Sequence, residues 1–520
     1  MVQEEQGQKK KFAALAVCLF VSVYPLFLLR GYLDVLEAKF LLLKGIMIFT
    51  VGGIFLVQIT DFFQQENKKQ FLIGKVTEFV RSMSLTDKAV LGMNASFWIS
   101  FALSSDKYKA WTGIEASGSG MFYYQLMFLL YFIISRYYVP AKREINWWFL
   151  STIVLTTYAL IQFLGFDFLH LFPEGEQGIV TDFLSFLGNT GVYAFYIALV
   201  LPSAMYFCCM ADNENTSPKE KLLFYITFYM CCLGILCGNC DAAYLGFATG
   251  YAGIAIVTAG NTQATRRFWL LTAGMCCCVK LTGALFVLFK STVRNVSWIT
   301  SILLETPLLW FVMVVSLALA GLLGTGKIRK YRGFCIAVAG LSVFALAGSF
   351  FWFSVVDRIT PLGRLENYLR FSDSWGTERG YIFSRLLHVF KESNILHKVF
   401  GWGSGMTFSV IQANFWEEMC ERFVYVYDDA HSQWITLLMT TGISGCIWMV
   451  TALASEIVRV FKKGRESLWA VLLIVYLVVS SVSITQPVTG PYLWLGLGVA
   501  EASVKCYNQC HKSCKEERET

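Results

Sequence analysis

An all-α membrane protein with many transmembrane helices is the fold class this sequence predicts, and three observations predict it. Hydrophobic residues fill 56% of the 520 positions and charged residues only 15%, whereas soluble domains carry about 25% charged residues. Mean hydropathy is +0.54. The apolar residues come in runs of roughly 17 to 25, the length a helix needs to cross the hydrocarbon core. No water reaches that core to satisfy free N–H and C=O groups, so unbroken runs read as helices. Barrel strands would alternate apolar and polar residues.

About fourteen spans follow, near 12–29, 39–60, 88–104, 120–139, 146–166, 190–210, 221–238, 242–260, 268–289, 302–324, 333–355, 432–461, 468–484 and 491–505. The first run follows Lys9 to Lys11 as a signal peptide would. Arg30 and Asp34 close it without a small-residue cleavage site, so it reads as a span. Charge sets the orientation. The short loops 140–145, 211–221, 260–267, 325–333 and 461–467 hold about thirteen Lys and Arg. The opposite loops hold about six: Arg30, Lys39, Lys107, Lys109, Lys290 and Arg294. The richer side is expected to be cytoplasmic, with both termini there. The net charge of +7 is therefore a topology signal rather than a nucleic-acid surface.

Most of the 16 cysteines sit in apolar runs as small soft residues, with Cys420 external, which argues against a disulfide framework. The tail 506–520 carries Cys506, Cys510, His511 and Cys514 in no standard zinc spacing. An unstructured or acylated tail is the simpler reading. The chain thus divides into an N-terminal bundle of about eleven spans (1–355), a long loop (356–431), about three C-terminal spans (432–505) and the tail. A loop of this length in a compact architecture is functional or disordered. Trp375, Trp402, Trp416 and an amphipathic stretch favour an ordered one.

Four polar clusters fall on the expected outer side: Gly188-Asn189-Thr190, Gly238-Asn239-Cys240-Asp241, the long loop with Arg379 and His431 near its ends, and Thr485-Gln486-Pro487. Residues 374–390 read as a helix capped by Thr377, with Phe383, Leu386, Leu387 and Phe390 on one face. Arg379, near its N-terminus, suits a phosphate or diphosphate. The alternative is a snorkelling arginine on a membrane-surface helix. GWGSGM (401–406) follows no βα unit and reads as a flexible turn, not a dinucleotide loop. His431 can take a proton from an attacking hydroxyl near neutral pH, oriented by Asp428 or Asp429. It can equally be an interfacial histidine without chemistry, and Asp428-Asp429 are a weak metal signal. Lys280 lies mid-span, where a charge is paired or functional, with Asp241 as a candidate partner.

These clusters, in this order, resemble the O-antigen ligase and polymerase family of membrane glycosyltransferases over about 185–500. The stretches that carry the resemblance are FLGNTGVYAFYIALVLP (186–202), CDAAYLGFATG (240–250), SWGTERGYIF (374–383), VFGWGSGMTF (399–408) and AHSQWITLLMTTGISG (430–445). The resemblance implies a GT-C-like helical fold and an undecaprenyl-diphosphate-linked oligosaccharide donor. It further implies inverting, metal-independent transfer to an acceptor glycan at the outer face of the cytoplasmic membrane. No cofactor is expected. Beside the lipid bilayer, the expected partners are a flippase and a chain-length regulator, and nucleic acid is not among them. Arg379 matches the family's diphosphate-binding loop arginine, and His431 the histidine proposed to activate or position the acceptor. Arg385, Arg364, Lys280, Asn189, Asp241, Asp428 and Asp429 complete the expected substrate-binding set.

Two departures stand out. Cys240-Asp241 replaces a common Ser-Arg, leaving Lys280, Arg294, Arg364 or Arg385 to supply the missing charge. His431-Ser432 replaces a common His-Asn. Both make a polymerase the better expectation than a lipid A-core ligase. The alternatives are a transporter or flippase of lipid-linked oligosaccharides, and a metal-dependent GT-C enzyme using a polyprenyl-phosphate monosaccharide.

Overall fold

The computed structural model describes residues 2–113, 118–172, 182–211, 216–324, 332–423, 427–463, 467–483 and 487–519. Helices dominate. The two-stranded antiparallel ladder pairs Phe183 with Asn189 and Leu184 with Gly188.

Each expected span falls on a helix or a bent pair of helices. Six of these, among the described residues, are long and apolar enough to cross a membrane alone: Val35–Phe63, Thr190–Cys209, Pro218–Gly238, Thr262–Leu288, Arg332–Val356 and Gln433–Lys462. Trp298–Glu305 and Leu308–Gly324, bent by 61°, make a seventh if taken as one span. The remaining helices are shorter or more polar. Ser467–Ser480 has 14 residues, about 21 Å at 1.5 Å per residue, against a core of about 30 Å. Lys142–Phe163 opens on Lys142, Arg143, Glu144 and Asn146. The chain is a multi-pass helical membrane protein.

Thr190–Cys209 is apolar on all sides and is the most deeply buried of the spans, as an all-round hydrophobic helix must be. Asp241–Thr258 packs against it through small residues. A Cβ at Gly250 would stand 2.7 Å from Pro202 Cγ, and one at Gly246 3.1 Å from Ala198 Cβ. This small-xxx-small spacing lets the backbones approach closely. It holds the Cys240-Asp241 turn at the helix start in place.

One end of the bundle is closed by ion pairs. Asp87 accepts from Tyr131 Oη at 2.9 Å, Arg136 Nη2 at 2.9 Å and Lys505 Nζ at 3.3 Å. Arg459 lies between Glu456, 3.1 Å away, and Glu501, and Lys505 meets Glu501 at 3.0 Å. Buried charges persist where each has an opposite partner, and these join four helices.

The long loop has its own core of Tyr381, Ile382, Leu386, Val410, Ile411, Phe415, Met419 and Ala430, with Met439. It is therefore ordered by packing. Its buried helix face uses Tyr381 and Ile382 as well as Phe383 and Leu386, while Leu387 is 43% exposed. GWGSGM is a turn but not a loose one. Gly401, Gly403 and Gly405 have φ of +73°, +113° and +69°. Trp402 and Gly403 donate their N–H groups to Met439 O (2.9 Å) and Thr440 O (3.1 Å), beside the break in Gln433–Lys463 at Gly442. Side chains at these glycines would strike the backbones of Thr440 and Gly113 and the side chain of Ser104. The glycines are there for close approach.

Candidate active site at the long loop

Arg379 begins the regular part of the loop helix Trp375–Glu392. The three residues before it, Gly376, Thr377 and Glu378, have φ of +60°, +61° and +67°. Thr377 is consequently not the helix cap that its sequence context suggests, and the Ser374 hydroxyl, at the helix start, accepts no capping N–H either. Left-handed backbone at non-glycine residues costs energy and survives only where the surroundings enforce it. One enforcing contact is visible: Tyr427 Oη donates to Thr377 O at 2.7 Å. The Arg379 guanidinium folds back so that Nη1 donates to Gly376 O, and its buried Nε has no hydrogen-bond partner among the described residues.

Tyr427 also reaches the other end of the loop. Its ring meets His431 edge-on, with centroids 4.7 Å apart and planes at 90°. Burial and then the neighbouring Glu378 raise the Tyr427 phenol pKa, and the Arg379 guanidinium lowers it. Arg379, Tyr427 and His431 thus share one environment.

His431 itself has φ +45°. Asp429 Oδ1 accepts its backbone N–H at 2.7 Å and lies 2.6 Å from its Nδ1. This second contact is close, though Nδ1 makes no hydrogen bond among the described residues. Asp429, rather than Asp428, is the carboxylate that holds the imidazole. Asp428 is largely buried, and burial first, then Asp429, push its carboxyl up, while His431 pulls it down. Among the described residues no group of three or more His, Cys, Asp or Glu is arranged to hold a metal ion.

The second polar cluster joins the same place. Burial raises the Cys240 thiol pKa, and the N–H groups of Ala242 and Ala243 and the Arg379 guanidinium lower it. Asp241 accepts a hydrogen bond from Tyr368 Oη, and its Oδ1 is buried without a partner among the described residues. The geometric link to the loop runs through Tyr368, whose backbone oxygen accepts from Trp375 Nε1 at 3.3 Å. Asn189 caps Thr190–Cys209 by accepting from Gly191 N at 2.8 Å and Val192 N at 3.4 Å. Gly191 lies against Cys240, 3.9 Å from its Sγ to a built Cβ. Behind Asn189, Gln162 accepts from Tyr32 Oη at 2.9 Å and Ser185 N at 2.6 Å.

The remaining expected site residues are engaged elsewhere. Lys280 does not pair with Asp241. Its ammonium donates to Leu304 O (2.7 Å) and to Thr306 O, where the bent helix pair breaks and frees its carbonyls. Arg385 binds Glu418 and lies over the Tyr381 ring. Arg364 is exposed on the short 3-10 turn Gly363–Leu365. Arg294 donates to Phe183 O at 2.7 Å. Charged donors satisfying carbonyls or carboxylates inside the fold are structural ties; Lys280, Arg294 and Arg385 are held in this way, whereas Arg364 is exposed. Of the fourth cluster, Thr485 and Gln486 lie outside the described residues, and Pro487 O accepts from Tyr24 Oη.

Sequence reasoning passed over Tyr427 and Tyr368. A tyrosine beside Asp428-Asp429 carries no motif, and its hydrogen-bond partner is a backbone oxygen fifty residues away.

A comparison with curated proteins finds no match to the chain. Residues 292–450 match the family model described as O-antigen ligase. That stretch contains Arg379, Tyr427 and His431 but not Asn189 or Asp241, and over it the chain is O-antigen ligase-like.

Proposed function

We propose that the protein is a polysaccharide polymerase or ligase that moves a glycan from undecaprenyl diphosphate, or a similar polyprenyl diphosphate, to an acceptor sugar hydroxyl at the outer membrane face. In this reading the helices number about fourteen, in a GT-C-like arrangement with both termini cytoplasmic. The observation that carries it is the Tyr427 link: one side chain touches both the turn preceding Arg379 and the ring of His431.

The chemistry follows from what each group can do. The acceptor oxygen attacks the anomeric carbon opposite the diphosphate, a new glycosidic bond forms, and the carbon–oxygen bond to the diphosphate breaks with inversion. Negative charge grows on the leaving diphosphate, and the Arg379 guanidinium, with an unpartnered Nε, stabilises it. His431 accepts the acceptor proton while Asp429 holds the ring from the Nδ1 side. No step needs a metal. The departures at Cys240-Asp241 and Ser432 favour polymerase over ligase. A flippase that supplies donor and a chain-length regulator are the proposed partners.

Reconstitution with diphosphate-linked oligosaccharide and an acceptor glycan tests the proposal. Longer glycan and released polyprenyl diphosphate are expected, unaffected by chelation. Arg379→Ala should lower the rate by about 10²–10³-fold, and His431→Ala by about 10²–10⁴-fold. Wild-type rates in either variant would remove that residue from the mechanism. Movement of lipid-linked glycan across the bilayer without bond formation would overturn the proposal, as would activity that chelation abolishes.

A further inference from the structure

Between Val35–Phe63 and Leu85–Leu103 lies a 14-residue helix, Lys68–Arg81, that carries no apolar run and no buried residue. At about 100° per residue, Leu72, Ile73, Val76, Phe79 and Val80 fall on one arc. Gly74, Glu78 and Arg81 fall opposite, with Gln70 and Phe71 to either side of them. Lys68 and Lys75 lie at one boundary and Thr77 at the other, and Lys69 falls within the arc, where its long stem can reach out to water. Leu72, Ile73, Val76 and Val80 are between 51% and 61% exposed. An apolar stripe of this size left in water is unfavourable and marks an interaction surface.

The position of the helix identifies what covers the stripe. Gln64 to Asn67 tie it to the end of a membrane-crossing helix, and Ser82 to Ser84 tie it to the next. Four extended residues reach about 14 Å at most, so the helix stays at the bilayer boundary. Phe79, at the edge of the arc, packs on Phe132 with ring centroids 5.9 Å apart, and the Arg136 guanidinium lies 5.0 Å from its ring. Lys68 sits 5.1 Å from the ring of Phe63 at the end of the preceding helix. Lys68, Lys69, Lys75 and Arg81 face a single acid on the helix, Glu78. We infer that Lys68–Arg81 is an in-plane membrane helix whose stripe enters the acyl boundary and whose basic residues bind anionic lipid headgroups. This goes beyond glycan transfer and does not depend on it.

The test uses the full chain in vesicles of zwitterionic lipid with and without phosphatidylglycerol. Single cysteines replace Val76, at the centre of the stripe, and Gly74, about 160° away where a built Cβ meets nothing within 4 Å, and carry an environment-sensitive fluorophore; wild-type protein labelled in parallel corrects for native thiols. The Val76 probe should be quenched by doxyl-lipid and shielded from aqueous iodide, and the Gly74 probe should show the reverse. Removing phosphatidylglycerol should reduce doxyl quenching at Val76. Equal iodide quenching at both positions would put the stripe in water and overturn the inference. Shielding of Val76 from both quenchers would mean a protein covers it, which also overturns the inference, as would insensitivity to anionic lipid. If Val76→Cys does not fold, Val80→Cys reads the same arc.

Discussion

Gly442 has φ +63° and ψ −161° within Gln433–Lys463, a combination confined essentially to glycine. A Cβ there would stand 2.4 Å from Val399 C and 2.5 Å from Val399 O. In Gly442→Ala two costs combine. Holding an alanine in that conformation costs about 1–3 kcal/mol. The Val399–Phe400 backbone must also retreat by roughly 1 Å to restore ordinary contact at about 3.5 Å. That backbone leads into the glycine turn docked on Met439 and Thr440, in the same helix that His431 precedes. A displacement of about 1 Å near reacting groups lowers rate by about 10²-fold. Initial rates of glycan elongation in proteoliposomes, with the thermal unfolding midpoint beside them, should show that loss together with a lower midpoint. Gly348→Ala is the control: a Cβ there meets nothing within 4 Å, so transfer should be unchanged. Wild-type rate and stability in Gly442→Ala, or an equal loss in Gly348→Ala, would refute the reasoning.

Three further outcomes are expected. Tyr427→Phe deletes the bond to Thr377 O but keeps the ring against His431, and should slow transfer roughly fivefold to tenfold, the equivalent of a net hydrogen bond of ~1 kcal/mol. An unchanged rate would show that the link is idle. Lys280→Met should lose about 1–3 kcal/mol of stability by orphaning the carbonyls at the helix break. Transfer per folded molecule should stay constant; a selective loss of transfer would return Lys280 to the site. Asp428 has a carboxyl pKa raised in the folded state by burial, so folding takes up a proton and stability falls as pH rises through the carboxylate range and the raised value. Asp428→Asn should raise the unfolding midpoint at neutral pH, with the gain vanishing below the ordinary carboxylate range. A gain independent of pH would contradict that cause.

The span-length apolar runs made the helices readable, because composition over twenty residues decides whether backbone can sit in lipid. Arg379 and His431 were readable from their setting in the long loop. What escaped reading depended on distant partners. Thr377 has the local chemistry of a cap, but Tyr427 holds its carbonyl from fifty positions away and the chain turns left-handed there. Lys280 was recognisably in need of a partner, yet backbone carbonyls at a helix break leave no trace in side-chain patterns. Lys68–Arg81 was passed over because interleaved Lys, Thr and Glu interrupt the run, although the 3.6-residue period is present. Glu456 and Glu501, inside expected spans, were a missed signal: a carboxylate in lipid implies a nearby cation, and Arg459 is that cation.

The ion pairs at the closed end also constrain assembly. Glu501 and Lys505 sit on Gly490–Glu519, which is synthesised after the helices that carry Asp87, Arg136, Glu456 and Arg459. Until it inserts, Asp87 lacks its contact with Lys505, and Arg459 has Glu456 but not Glu501. The earlier residues already balance, Asp87 against Arg136 and Glu456 against Arg459, and the later helix brings a balanced Glu501 and Lys505 that tie the two pairs together. That helix therefore acts as a clasp between two ready-made pairs, and its absence would leave them unjoined rather than unpaired.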